Sequence, residues 1–133
     1  MPYQIIWEPP GVHRRFHGHI TGAEVLRSLT TMTSDPRFDD MRYSIEDYLD
    51  VDHYEADQES LTMLSAFHYG AHASNARIVT AAVMNKDEVR EVFRRFQASY
   101  STPFPLQIFD NLADARAWIT SQIAAYGSAP RWD

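Results

Sequence analysis

The sequence predicts a single α/β domain: a mixed sheet of about five strands with about four helices, in the order β-β-α-β-α-β-α-β-α. Three observations predict it. Segments that alternate apolar and polar residues are interleaved with segments whose apolar residues recur every three or four positions. The first two strand-like segments are separated only by Pro9, Pro10 and Gly11, which fits a hairpin. The chain has 133 residues, enough for one domain with a core and too few for two ordinary ones. Alternating strands and helices imply mostly parallel pairing, and the hairpin adds an antiparallel edge.

Tyr3, Ile5 and Trp7 give the first strand, and Val12 to Ile20 the second. In the second, Val12, Phe16 and Ile20 face one way, while His13, Arg15, His17 and His19 face the other. Thr21 with Glu24 matches a capping box, and Val25, Leu26, Leu29 and Met32 form the stripe of a first helix ending near Ser34. Asp35-Pro36 opens a polar loop to Asp40. Tyr43 to Tyr48 is a third strand, followed by an acidic turn. A second helix runs from about Asp57 to His72, with Leu61, Leu64, Phe67 and Ala71 inward. Arg77 to Met84 is nearly all apolar, as a central strand requires. Asn85 with Glu88 caps a third helix, whose apolar face is Val89, Val92, Phe93, Phe96 and Tyr100 and whose wet face holds Arg90, Glu91, Arg94 and Arg95. Pro103 and Pro105 punctuate. Leu106 to Phe109 is a short last strand. Asp110 or Asn111 caps a final helix carrying Leu112, Ala115, Trp118, Ile119 and Ile123 inward. The domain spans 1–126, and Gly127 to Asp133 reads as a tail.

A hydrophobic content of 44% fits a globular chain, and a formal charge of -6 argues against nucleic acid and anionic membrane as partners. The absence of cysteine removes disulfides, thiolate nucleophiles and Cys-ligated zinc. The N-terminus lacks the basic and apolar regions of a signal peptide, and Ile78 to Met84 is far too short to span a membrane. A soluble cytoplasmic protein is the simplest expectation.

Four features carry candidate chemistry. The acidic turn holds Glu46, Asp47, Asp50, Asp52, Glu55, Asp57 and Glu59, with His53 among them. Such a group can hold a cation or a basic partner, or act as paired carboxylates. An EF-hand fails on spacing, since counting from Asp50 puts Glu55 in the glycine slot and Leu61 in the glutamate slot. The plain reading is a solvated loop with acid favoured at a helix start. The second feature is the face His13, Arg15, His17, His19. His17 and His19 suit a metal only with a third ligand from elsewhere, and the same face suits an anion or a pH response. Third, His68 and His72 are four apart on one helix, more simply pocket-lining groups, with Tyr48, than ligands. Fourth, Tyr43, Tyr48, Tyr54, Tyr69, Phe67, Trp7 and Met63 read as plain core. No G-x-S-x-G, P-loop or H-E-x-x-H is present, so no catalytic residue, cofactor or metal is assigned.

The stretches YQIIWEPPGVHRRFHGHITGAEVLRSL, SDPRFDDMRYSIEDYLDVD, RIVTAAVMNKDEVREVF and FDNLADARAWI together resemble the SpoIIAA-like fold of STAS domains, shared topologically with CRAL-TRIO lipid-transfer domains. More narrowly, the chain resembles small stand-alone bacterial STAS-like proteins. The resemblance implies helices packed mainly over one face of the sheet. It also implies a serine, at the start of the helix after the third strand, that a partner kinase phosphorylates. The matching window, Tyr54 to Glu59, has no Ser or Thr, and Ser60 and Thr62 lie further in. Asp57 at that helix start resembles a permanently charged state. The resemblance therefore implies a non-catalytic module that binds a protein partner or small ligand, regulatory in character, through Asp47, Asp50, Asp52, His53, Glu55 and Asp57. A carrier of a small apolar or lipid ligand is the alternative, and an enzyme using the acidic loop with His53 is third. An open sheet edge invites a homodimer.

Overall fold

The computed structural model describes residues 2–99 and 106–127. The elements are β1 (Tyr3–Glu8), β2 (Gly11–Thr21), α1 (Gly22–Thr33), a 3₁₀ turn (Pro36–Asp40), β3 (Tyr43–Glu55), α2 (Gln58–Ser74), β4 (Val79–Val83), α3 (Asp87–Ala98), β5 (Leu106–Phe109) and α4 (Leu112–Gly127). The expected roles of Tyr100, Pro103 and Pro105, and the tail past Gly127, fall outside the described residues.

The five strands lie in the sheet in chain order, β1-β2-β3-β4-β5. β1 pairs antiparallel with β2, and every later pair is parallel. A sheet that always steps in one direction, through crossovers of one hand, carries all its crossover helices on one face. The two apolar clusters follow that rule. The larger collects residues of α1, α2 and α3, such as Leu29, Leu61 and Phe93, with Phe16, Ile20 and Tyr48 of the sheet. The smaller, on the opposite face, is Ile45, Val79, Ala81 and Val83 under Ala115 and Ile119 of α4. β4, covered on both sides, is buried at every position, which is why its sequence is a continuous apolar run.

Caps set the helix starts. The Thr21–Glu24 box is formed in both directions. Asp57 accepts from the Ser60 amide at 2.8 Å, and Asn111 accepts from the Asp114 amide at 2.8 Å. Asn85 does not cap α3: Lys86 takes the cap position with no side-chain bond, its ammonium reaching instead to the Val51 carbonyl at 2.5 Å. The expected polar loop after α1 is the 3₁₀ turn, pinned by the Asp35 carboxylate on the Arg37 amide, with Phe38 in the core.

The largest departure from expectation is β3. It does not end at Tyr48 in an acidic turn but continues to Glu55. Its register against β2 slips twice. Arg15 pairs with Asp47 and His17 with Asp50; Gly18 pairs with Val51 and His19 with His53. Each slip places one extra residue in β3, the signature of a bulge. Tyr48, Val51 and Tyr54 are therefore buried at intervals of three rather than two. Gly18, at φ 69°, takes the left-handed conformation beside the second bulge, which a side chain would oppose.

Candidate functional site

β2 and β3 are the longest strands, and between them they hold almost every candidate residue. The parallel register sets the basic residues of one against the acidic residues of the other. His13 Nε2 lies 2.8 Å from Asp47 Oδ2, both buried. Arg15 bonds Asp50 at 2.8 Å on the open surface. His19 stands beside His53, with Glu55 next on the strand. The two features that the sequence presents separately are thus one cross-strand ladder. It is not a uniform histidine face, because His13 is enclosed while Arg15, His17 and His19 are exposed. Nor is the acid all solvated, because Glu46 and Asp47 are buried. Burial pushes the Asp47 carboxyl up, but the bonds from His13 and the Leu49 amide outweigh it and hold it below the usual range.

The inward side carries a group that sequence reasoning missed. Arg14 is 1% exposed, at the same strand parity as Val12 and Phe16. Its guanidinium donates to Ser28 Oγ at 2.8 Å and pairs with Glu46 Oε2 at 3.2 Å. Glu46 also accepts from the Tyr48 hydroxyl at 3.2 Å and lies 3.2 Å from His68 Nε2. The other His68 nitrogen is 2.8 Å from the Leu64 carbonyl. Both His68 nitrogens therefore face oxygen atoms. Burial raises the Glu46 pKa, yet Arg14, then His68 and Tyr48, bring it down to about 2. Tyr48, stacked on Phe16 at 4.7 Å, has its own hydroxyl pushed well above the ordinary value by burial and by Glu46. The one signal available in sequence was Arg14 breaking an otherwise apolar parity.

His68 and His72 line a partly open cavity of about 30 Å³ together with Arg14, Glu46 and Ser44, and Tyr48 lines a smaller one beside it. That space suits a water molecule, not a lipid chain. The large side chains expected in the core divide. Tyr48 and Tyr54 are buried, whereas Met63, Phe67 and Tyr69 are 42%, 45% and 50% exposed. Phe67 points outward because His68, one position on, takes the inward place to reach Glu46.

At the α2 start, Asp57 is exposed and capped onto Ser60, and Glu55 and Glu59 are exposed beside it. The Asp57 carboxyl is held below its ordinary value by the Ser60 amide and hydroxyl. Ser60 is half-buried against α1; a Cβ on Gly22 would lie 2.6 Å from Ser60 Cβ. Glycine at the start of α1 permits this close approach of the two helix N-termini. Among the described residues no helix is long and apolar enough to cross a membrane.

Two solved structures share this architecture. The anti-sigma factor antagonist SpoIIAA in its unphosphorylated form superposes with a TM-score of 0.58 at 12% identity, over 90% of this chain and 97% of that one. A candidate anti-sigma factor antagonist from Thermotoga maritima gives 0.59 at 14% identity, over 90% and 93%. No family model and no curated protein matches the chain. The fold is SpoIIAA-like, as the sequence resemblance implies.

Proposed function

We propose that this SpoIIAA-like chain is a non-catalytic regulatory module that binds a protein partner across the N-terminal end and outer face of α2, in the bacterial cytoplasm. The observation that carries the reading is an apolar pair, Met63 and Phe67, exposed one helical turn apart and next to the exposed acids Glu55, Asp57 and Glu59. An apolar centre with a charged rim is the composition of a protein-binding patch. Its partner would offer apolar side chains flanked by Lys or Arg. One neighbouring structure is an anti-sigma factor antagonist and the other a candidate one, which agrees with the reading. Asp57 holds the helix start with a fixed negative charge, so binding here needs no phosphorylation at that position. The carrier alternative gains no support from the two structural neighbours, neither of which is named as a carrier.

The test is capture from a lysate of the native host with quantitative mass spectrometry. Wild type should retain one protein that Phe67→Asp loses at least about tenfold and Thr120→Asp, on the remote α4, retains. Equal retention by wild type and Phe67→Asp sinks the reading. Asp57→Ala should lower the urea midpoint, as loss of a helix cap does. Pairing of two copies through the open edge of β1 or β5 is the further part of the proposal. Light scattering at micromolar protein checks it, and a monomer removes it.

A further inference from the structure

Three metal-ligand side chains converge where β2 and β3 end. His19 lies opposite His53 in the register, and Glu55 follows two residues on. One nitrogen from each imidazole and one Glu55 oxygen lie within 4.8 Å of one another. The two rings meet edge to face with centroids 4.6 Å apart. In a tetrahedral site with bonds near 2.0–2.1 Å, ligand atoms stand about 3.3 Å apart, so modest side-chain rotation closes the set. All three side chains are exposed and free to make that adjustment.

The juxtaposition depends on the second bulge of β3. Without its extra residue Asp52, not His53, would stand across from His19. A bulge that re-aims a side chain is a common device at functional sites. A fourth group supports the set: His53 Nδ1 contacts Glu88 Oε1 in the first turn of α3. A carboxylate on one ring nitrogen fixes the tautomer and leaves the other, Nε2, to a metal. Two imidazoles and one carboxylate form a borderline donor set. It suits zinc better than calcium or magnesium, which take all-oxygen shells.

We propose that His19, His53 and Glu55 bind a zinc(II) ion, with Glu88 orienting His53, leaving a fourth coordination position open at the protein surface. The site shares Glu55 with the rim of the partner patch, but metal titration needs no partner, so either proposal can fail without the other. The test uses the tag-free full chain, titrated with zinc(II) in the presence of a competing chelator, and with cobalt(II) followed by visible absorption. One ion per chain is expected, with a tetrahedral cobalt spectrum. His19→Ala, His53→Ala and Glu55→Gln should each weaken binding by at least about tenfold. Glu88→Gln should weaken it by about 10–100-fold, as loss of an outer-shell partner does. His17→Ala, on the same strand but outside the cluster, should leave it unchanged. Circular dichroism confirms that these surface variants fold. Absence of stoichiometric zinc binding overturns the site, and so does a His17→Ala loss equal to that of His53→Ala. Unchanged binding in Glu88→Gln overturns the orienting role.

Discussion

Arg14→Ala and Glu46→Ala are each expected to lower folding stability by about 3–5 kcal/mol, the range for removing one partner of a buried ion pair. Both residues are 1% exposed, so neither regains bulk solvation when the other is gone. Losing Glu46 strands the Arg14 guanidinium and removes the acceptor shared by His68 and Tyr48. Losing Arg14 leaves the buried carboxylate without its guanidinium, with only the bonds to His68 and Tyr48, and strips Ser28 of its donor. The cost is asymmetric: desolvating two ions nearly cancels their attraction, so a joint replacement differs in kind from a single one. Arg14→Met with Glu46→Leu should therefore be less damaging than either single alanine variant. Urea midpoints for the four proteins give the answer. A loss below about 1 kcal/mol in both single variants would falsify the claim that this pair is an enclosed, interdependent unit.

Stability should also fall in acid, by about 3 kcal/mol from Glu46 alone. The folded carboxyl sits at about 2, against an ordinary value of 4.5. A carboxyl depressed on folding contributes stability that is fully present above its unfolded value. That stability drains as pH falls from about 4.5 towards 2, an interval corresponding to about 3 kcal/mol. Asp47, lowered by its bond from the His13 ring, adds in the same direction. Asp35 and Asp57 are also lowered but are exposed, and solvent screening leaves them little weight. Urea titrations at pH 7, 5, 4 and 3 should show the loss concentrated below pH 4.5, with a flatter profile in Glu46→Gln. An identical profile in that variant would assign the acid sensitivity elsewhere.

The order of elements was legible because local chemistry states it: the Pro-Pro-Gly turn, the Thr21–Glu24 box, the apolar run of β4. The extent of β3 was not. Its two bulges move the buried residues from a spacing of two to a spacing of three, so Tyr48, Val51 and Tyr54 no longer look like a strand. The intervening acids then read as a turn. The site suffered from the same cause. His13, Arg15 and His19 were visible, as were Asp47, Asp50 and His53, but which meets which is a matter of register. In a parallel pair no tight turn reveals it. Arg14 escaped because a charge at an inward position is normally an argument against burial. Only Glu46 from the neighbouring strand and the Ser28 hydroxyl from α1 make it tolerable. Phe67 is misplaced for a related reason: the helical stripe puts both it and His68 inward, and the polar network gives that place to His68 alone.

The arrangement of the sheet in chain order bears on how the molecule is assembled as it emerges from a ribosome. No strand has to insert between two earlier ones. The β1–β2 hairpin offers an edge as soon as it exists, and β3, β4 and β5 each find the edge left by the strand before. Each closure spans one helix and its connections, so the entropy of closing any loop stays small. Arg14 waits on that first hairpin for Glu46 to arrive with β3, and His68 then seals the pair when α2 settles. The buried charges can thus be neutralised in the sequence in which they are synthesised, before the last third of the chain is needed.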